Sequence, residues 1–110
     1  MYETMCPKYE IAMLLLGKRW TGLILRVLMG GPCRFRDLQR QIEGMSDRLL
    51  SERLKELEAA GVVMRQVHDE IPVRIEYQLT EMGRGLESVI AAIQAWAEQW
   101  VRLDAEQPGS

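Results

Sequence analysis

Ser46, Asp47 and Arg48, followed by Ser51, Glu52 and Lys55, are spaced so that one helix carries all six along one side. Leu50, Leu54 and Leu57 recur at helical intervals on another side and seek a core. Two hydroxyls, two carboxylates, a guanidinium and an ammonium in that order present hydrogen-bond donors and acceptors at fixed steps. Two readings are open: a solvated surface on which Ser46 serves only as a cap, or a surface built to be pressed against a partner.

Other residues capable of chemistry are few. Cys6 precedes Pro7, a helix entry, and stands two residues from Lys8. A helix end and a positive neighbour both favour a thiolate, so Cys6 is a candidate for oxidation or alkylation, with a small packed residue as the alternative. Cys33 follows Pro32 and reads as structural. Two distant cysteines fit no zinc motif, and the lone His68 has no partner for a metal or a triad. Without a glycine-rich phosphate loop or a poised acid–base pair, an enzyme is not expected, nor is any cofactor or metal.

The 110 residues, 47% hydrophobic and 27% charged, suit a single ordered domain over 1–105, with 106–110 as a flexible tail. The longest uncharged apolar run, residues 11–17, is too short to span a bilayer, and no leader pattern is seen, so a cytoplasmic location is expected. Net charge is −2, yet residues 18–55 hold nine Lys or Arg against four acids. A positive face on an otherwise acidic protein has that asymmetry.

The elements that must position these residues follow from periodicity. Cys6-Pro7 opens a first helix that ends at Gly17. Trp20, Leu23, Ile24, Val27 and Leu28 line the inner face of a second, stopped by Gly30-Gly31-Pro32. A short helix over 34–42 turns Phe35, Leu38 and Ile42 inward and Arg34, Arg36 and Arg40 outward. After Glu43-Gly44-Met45, Ser46 caps a fourth helix that Gly61 closes. Residues 62–67 and 73–79 read as strands joined by a polar tip over 68–72. Thr80 then caps one long helix with a heptad seam of Met82, Leu86, Val89, Ile93, Trp96, Trp100 and Leu103. The fold class is mainly α with a small β hairpin: a winged helix-turn-helix with a long C-terminal dimerisation helix.

The chain resembles the HxlR-type branch of the winged helix-turn-helix regulators, relatives of the MarR family. The resemblance rests on Cys6-Pro7, Gly17-Lys18-Arg19-Trp20-Thr21, Ile24-Leu25-Arg26-Val27-Leu28 and Gly31-Pro32-Cys33-Arg34-Phe35-Arg36-Asp37-Leu38. It continues through Ile42-Glu43-Gly44-Met45-Ser46-Asp47-Arg48-Leu49-Leu50, Arg53-Leu54-Lys55-Glu56-Leu57, Gly61-Val62-Val63, Pro72, Glu76-Tyr77, Leu79-Thr80 and Gly83. One departure stands out: where the family usually has Gly-Gly-Lys-Trp, this chain has Gly17-Lys18-Arg19-Trp20, with an extra charge beside the tryptophan. The resemblance implies a homodimeric bacterial transcription factor, often a repressor, and some members sense electrophiles or oxidants through an N-terminal cysteine.

On that footing the partner of the polar helix side is double-stranded DNA at a pseudo-palindromic operator. Arg48 suits a bidentate bond to guanine, Ser46 and Ser51 suit phosphate or base edges, and Lys55 suits phosphate. Asp47 and Glu52 complete the set, Glu52 reaching cytosine or orienting an arginine. Arg53 lies between faces and is expected to pair with Asp37 or Glu56. Arg34, Arg36 and Arg40 are placed for backbone phosphates, and Arg74 for the minor groove or a flanking phosphate at a wing that Asp69 and Glu70 keep from being strongly basic, so that its tip is a supporting contact. Tyr9, Met13 and Leu16, with Val89, Ile93, Trp96 and Trp100, form the expected dimer interface, because the chain has enough other aliphatics for its own core. Cys6 is the candidate redox-sensing residue, responding to a small electrophile or oxidant. The competing readings are a ligand- or protein-responsive regulator without redox sensing, and a winged helix used for protein contacts, which would expose apolar residues where the arginines stand.

Overall fold

Pro7 opens α1 (Pro7–Leu16), where its missing N–H falls among donors that have no helical partner. The computed structural model describes residues 6–103; the expected tail over 106–110 lies outside them. Helix α1, apolar beyond Glu10 with no single apolar stripe, buries none of its residues. α2 (Thr21–Leu28) buries Ile24, Leu25 and Leu28, and α3 (Phe35–Gln41) buries Leu38. α4 (Asp47–Ala59) adds Leu50, Leu54 and Leu57. The hairpin β1 (Val63–His68) and β2 (Arg74–Leu79) contributes Val63 and Leu79, and α5 (Glu81–Arg84) leads into α6 (Glu87–Trp100), which contributes Ile90. These side chains, with Ile42 and Val62, form one core.

Leu23, expected inward, is half-exposed. Ile24 and Leu28 occupy the centre of the α2 stripe, which leaves Leu23 at its edge, beside an open groove shared with Ile90 and Ile93. The turn between α3 and α4 is as short as expected, with Gly44 left-handed at φ +92°. Gly61, at φ +82°, ends α4 in the same conformation.

The strands pair antiparallel, Val63 opposite Leu79 and His68 opposite Arg74. Each starts one residue later than periodicity suggested. For β1 the reason is local: the Val62 N–H donates to Leu57 O at 2.9 Å and closes the helix, so Val62 meets the hairpin partner only through its oxygen, which accepts the Thr80 N–H at 3.0 Å. The hairpin tip is less polar than expected, because Ile71 is fully exposed there beside a half-exposed Val73. A third segment joins the sheet at the outer edge of β2, where Cys33 and Tyr77 exchange backbone bonds of 2.9 and 2.8 Å.

The single long helix expected after Thr80 is two helices. Thr80 does cap, accepting from the Gly83 N–H at 3.0 Å. Gly83 is pressed onto the root of the hairpin, where an added Cβ would lie 2.2 Å from Val62 O. Past it the ladder tightens, the Leu86 N–H bonding Gly83 O at 2.9 Å, three residues back. Leu86 consequently packs on the core, Met82 lies exposed on α5, and Leu103 follows the extended Val101 beyond the helix. The seam that survives on one helix is Val89, Ile93, Trp96 and Trp100. None of the described helices is long and apolar enough to cross a membrane.

Candidate nucleic-acid interface

The amino end of α4 is built from its cap. Ser46 Oγ accepts the Leu49 N–H at 3.1 Å, fixing the first turn, and Asp47 stands beside the positive helix end. With Leu50, Leu54 and Leu57 pinned to the core, the opposite side must face outward. Ser46, Asp47, Arg48, Glu52 and Lys55 are all exposed there. Ser51 differs: it is half-buried at the edge of the leucine stripe, so its hydroxyl is less accessible than the sequence suggested.

Several side chains of this face already have partners. Arg48 Nε lies 3.3 Å from Glu52 Oε2 while the arginine side chain stays 89% exposed. Asp47 Oδ1 accepts from the side-chain amide of Gln39 on α3. Gln39 was not singled out from the sequence: it sits unremarked between arginines, and only the turn at Gly44 brings it to the helix start. α3 itself begins with the Arg34 N–H donating to Asp37 Oδ2 at 2.9 Å, which occupies the carboxylate once offered as a partner for Arg53. The side chains of Arg34, Arg36 and Arg40 are exposed, as expected. Arg53 takes the other expected partner: its Nη1 lies 3.3 Å from both Glu56 carboxylate oxygens, and its Nε donates to Arg19 O at 3.0 Å.

Charges at the wing are paired with one another. Arg74 is half-buried, its Nη2 is 3.0 Å from Glu70 Oε2 and its Nη1 3.6 Å from Glu76 Oε2, and His68 Nε2 meets Glu76 Oε1 at 2.9 Å. Two carboxylates thus compensate the cation intended for the minor groove.

A second surface is apolar. Tyr9, Ile11, Met13 and Leu14 on α1 and Val89, Ile93, Trp96 and Trp100 on α6 are all substantially exposed, Trp96 at 60% and Trp100 at 63%. Leu16, expected alongside them, packs in part against the core of its own chain. The Cα radius of gyration, 16.2 Å, exceeds the roughly 13 Å expected of a compact chain of this length. An apolar groove of about 410 Å³ runs between α1 and α5, walled by Ile11, Leu15, Leu16, Val62, Met82 and Leu86, with Lys8 at its rim.

Cys6 is the exposed N-cap of α1, and its side chain makes no capping bond. Cys33 is half-buried, its Sγ 3.5 Å from Gly31 O. Burial, reinforced by the negative charges of Asp37 and Glu76, pushes its thiol pKa up. The two cysteines are therefore unequal: one open at a helix start, the other held protonated beside the sheet.

With this geometry in hand, comparison with known proteins is informative. A protein-family model described as HxlR-like helix-turn-helix matches residues 15–105. The HTH-type transcriptional regulator YodB of Bacillus subtilis is 53% identical over 100 residues, spanning 91% of this chain and 89% of that protein. The solved structure of its reduced form covers 97% of this chain and 100% of that one, at 50% identity and a TM-score of 0.80. Its quinone-bound form covers 87% and 100%, at 50% identity and a TM-score of 0.76. The redox regulator HypR in its oxidised form is 34% identical, covers 89% and 100%, and superposes with a TM-score of 0.83.

Proposed function

The chain belongs to the HxlR-like helix-turn-helix family of transcriptional regulators, and from that premise we propose that it is a homodimeric repressor whose α4 enters the major groove of a pseudo-palindromic operator. The observation that carries the reading is the amino end of α4: a capped helix start whose Arg48 projects almost wholly into solvent while three leucines hold the helix to the core. A helix end so presented fits a groove that displays distinguishable base edges. Arg36 and Arg40 take backbone phosphates, Arg34 and Lys55 extend that track, and Ser46 bonds an edge or a phosphate without leaving its cap. Asp47 and Glu52 hold neighbouring donors in place. Arg74 contributes at the wing only after giving up a carboxylate.

Two copies join through α1 and α6, burying Tyr9, Met13, Val89, Ile93, Trp96 and Trp100, with Leu16 at the margin. Exposed aromatics and aliphatics are the common anchors of such contacts. The two recognition helices then sit about one DNA turn apart.

Cys6 is the sensing residue in this reading. A quinone and an oxidised state occur among the solved relatives, and Cys6 here is open to solvent at the first turn of a helix in the dimer surface. Its sulfur adds to a ring carbon of a quinone and the ring oxygen takes up the proton, so no further reactant is required. The adduct alters how α1 packs across the dimer and so shifts the two reading heads. The groove between α1 and α5 favours a second reading, in which an apolar ligand acts without covalent chemistry. One experiment separates them: the operator is selected from random DNA, and release by a benzoquinone is measured for the parent and Cys6→Ser. Release abolished in the variant supports sensing at Cys6; undiminished release moves the response to the groove.

A further inference from the structure

The corner between α1 and α2 is fastened to the recognition helix. Lys18 Nζ is 3.0 Å from Glu56 Oε2, and Arg53 both donates to the backbone oxygen of Arg19 at 3.0 Å and embraces the Glu56 carboxylate. Arg53 is the buried member of the set, its side chain only 15% exposed. At the end of the same corner Trp20 adopts φ +81°, a left-handed conformation that a bulky residue holds only where its surroundings enforce it. The Arg19 guanidinium lies 4.7 Å over the Trp20 ring, and the far edge of that ring lies against Gly44, in the turn that launches α4.

α4 therefore has three engaged sides. Leu50, Leu54 and Leu57 face the core, Arg48, Glu52 and Lys55 face outward, and Arg53 and Glu56 face the corner. A core stripe alone leaves a helix free to roll and slide by small amounts. A planar guanidinium bonded at once to a main-chain oxygen and a carboxylate sets both. The turn is held separately by the indole, so the corner grips α4 at its start and at its middle.

We propose that Arg53 is a positioning residue for DNA reading: through Arg19 and Glu56 it locks the angle of α4 to the α1–α2 corner, and sequence discrimination depends on it although it does not touch DNA. The inference rests on α4 being the reading helix. Loss of the lock lets Arg48 miss its base edge by a fraction of an ångström or more, while phosphate attraction, which is insensitive to such shifts, persists.

The test measures affinity of the full chain for the duplex it selects and for a scrambled duplex of equal length, at one salt concentration. Arg53→Ala is expected to lower the ratio of the two affinities about tenfold and to leave scrambled-duplex binding within about twofold, with circular dichroism unchanged. Arg53→Lys, which keeps a cation beside Glu56 but lacks the fork, is expected to recover part of the ratio. Glu56→Gln serves if Arg53→Ala does not fold, with an expected loss of about threefold. An unchanged ratio in the folded variants overturns the proposal, as does a parallel fall in both affinities that tracks loss of folded protein. Arg48→Ala, run alongside, separates the two ideas. Discrimination lost with Arg53 but kept without Arg48 retains the lock and dismisses the groove contact; the converse dismisses the lock.

Discussion

Arg48 and Glu52 meet across one turn of α4 at 3.3 Å, with the arginine leading and nearly all of its side chain in water. An exposed pair of this spacing contributes only about 0.3–0.5 kcal/mol, and the order with arginine first is the weaker one. A bidentate bond to a guanine edge contributes about 1–3 kcal/mol of discrimination. The guanidinium therefore leaves glutamate for DNA without a large penalty. Arg48→Ala is expected to weaken operator binding by about ten- to a hundredfold, in a gel-shift titration, and to relax preference at one position per half-site. Glu52→Gln should tighten binding to unrelated DNA by removing a charge that phosphates oppose.

Arg36 and Arg40 are exposed on α3 and are expected to neutralise phosphates. Each removed contact should flatten the plot of log affinity against log salt by about 0.9. Arg36→Ala and Arg40→Ala together are thus expected to reduce the slope by about 1.8, with base preference retained. An unaltered slope removes α3 from the interface.

Trp96 and Trp100 lie along α6 with their rings largely in solvent in the single chain. Sedimentation of the parent is expected to show a dimer at micromolar concentration. Trp96→Glu places a charge in the centre of that contact and should give a folded monomer that binds half-sites only weakly. A parent that sediments as a monomer refutes the α1–α6 interface.

Cys33 has its thiol pKa raised by burial and by the nearby Asp37 and Glu76 charges. A group whose folded value lies above its unfolded one holds its proton more tightly when folded. Its contribution to stability is intact below the ordinary thiol value and declines as pH climbs through the raised one. Melting temperatures from neutral to alkaline pH should fall less steeply for Cys33→Ala than for the parent. At neutral pH, iodoacetamide followed by peptide mass spectrometry is expected to label Cys6 well before Cys33.

Gly83 and Gly22 offer opposite outcomes for the same change. A Cβ at Gly83 would meet Val62 O and two Leu79 carbons, so Gly83→Ala should destabilise by about 1–3 kcal/mol. Nothing lies within 4 Å of a Cβ at Gly22, inside α2, and Gly22→Ala should stabilise by about 0.5–1 kcal/mol. Urea titrations of both variants check the pair.

Much of this was legible in the residues. Ser46 and Gly61 bracket α4 because one has an oxygen for a free amide and the other tolerates φ above zero, and both properties are local. The leucine spacing names the buried side of α4 and, by exclusion, the exposed one. The break between α5 and α6 was not legible. Met82, Leu86 and Val89 continue the heptad without interruption, and the close approach of Gly83 to Val62 O at the root of the hairpin joins residues far apart in the chain. The ion pairs of Arg74 involve sequence neighbours, Glu70 four residues back and Glu76 two residues on along β2; what the hairpin register adds is His68, set opposite Arg74 and bonded to the same Glu76.

What the sequence by itself determined is the order of elements, their caps and the outward polar side of the fourth helix, because periodicity, capping and glycine conformation act within a few residues. What only the tertiary structure decided is which of the exposed charges remain available. Arg48 stays open to solvent with one weak partner, Arg74 is compensated by two carboxylates, and Arg53 is drawn inward to Arg19 and Glu56. Several of these partners are near in sequence, but whether a side chain turns to its neighbour, to solvent or, as Arg53 does, to a main-chain oxygen 34 residues away depends on how the chain packs around it, and a Coulomb or hydrogen-bond term falls away too quickly with distance for composition or spacing to foretell it.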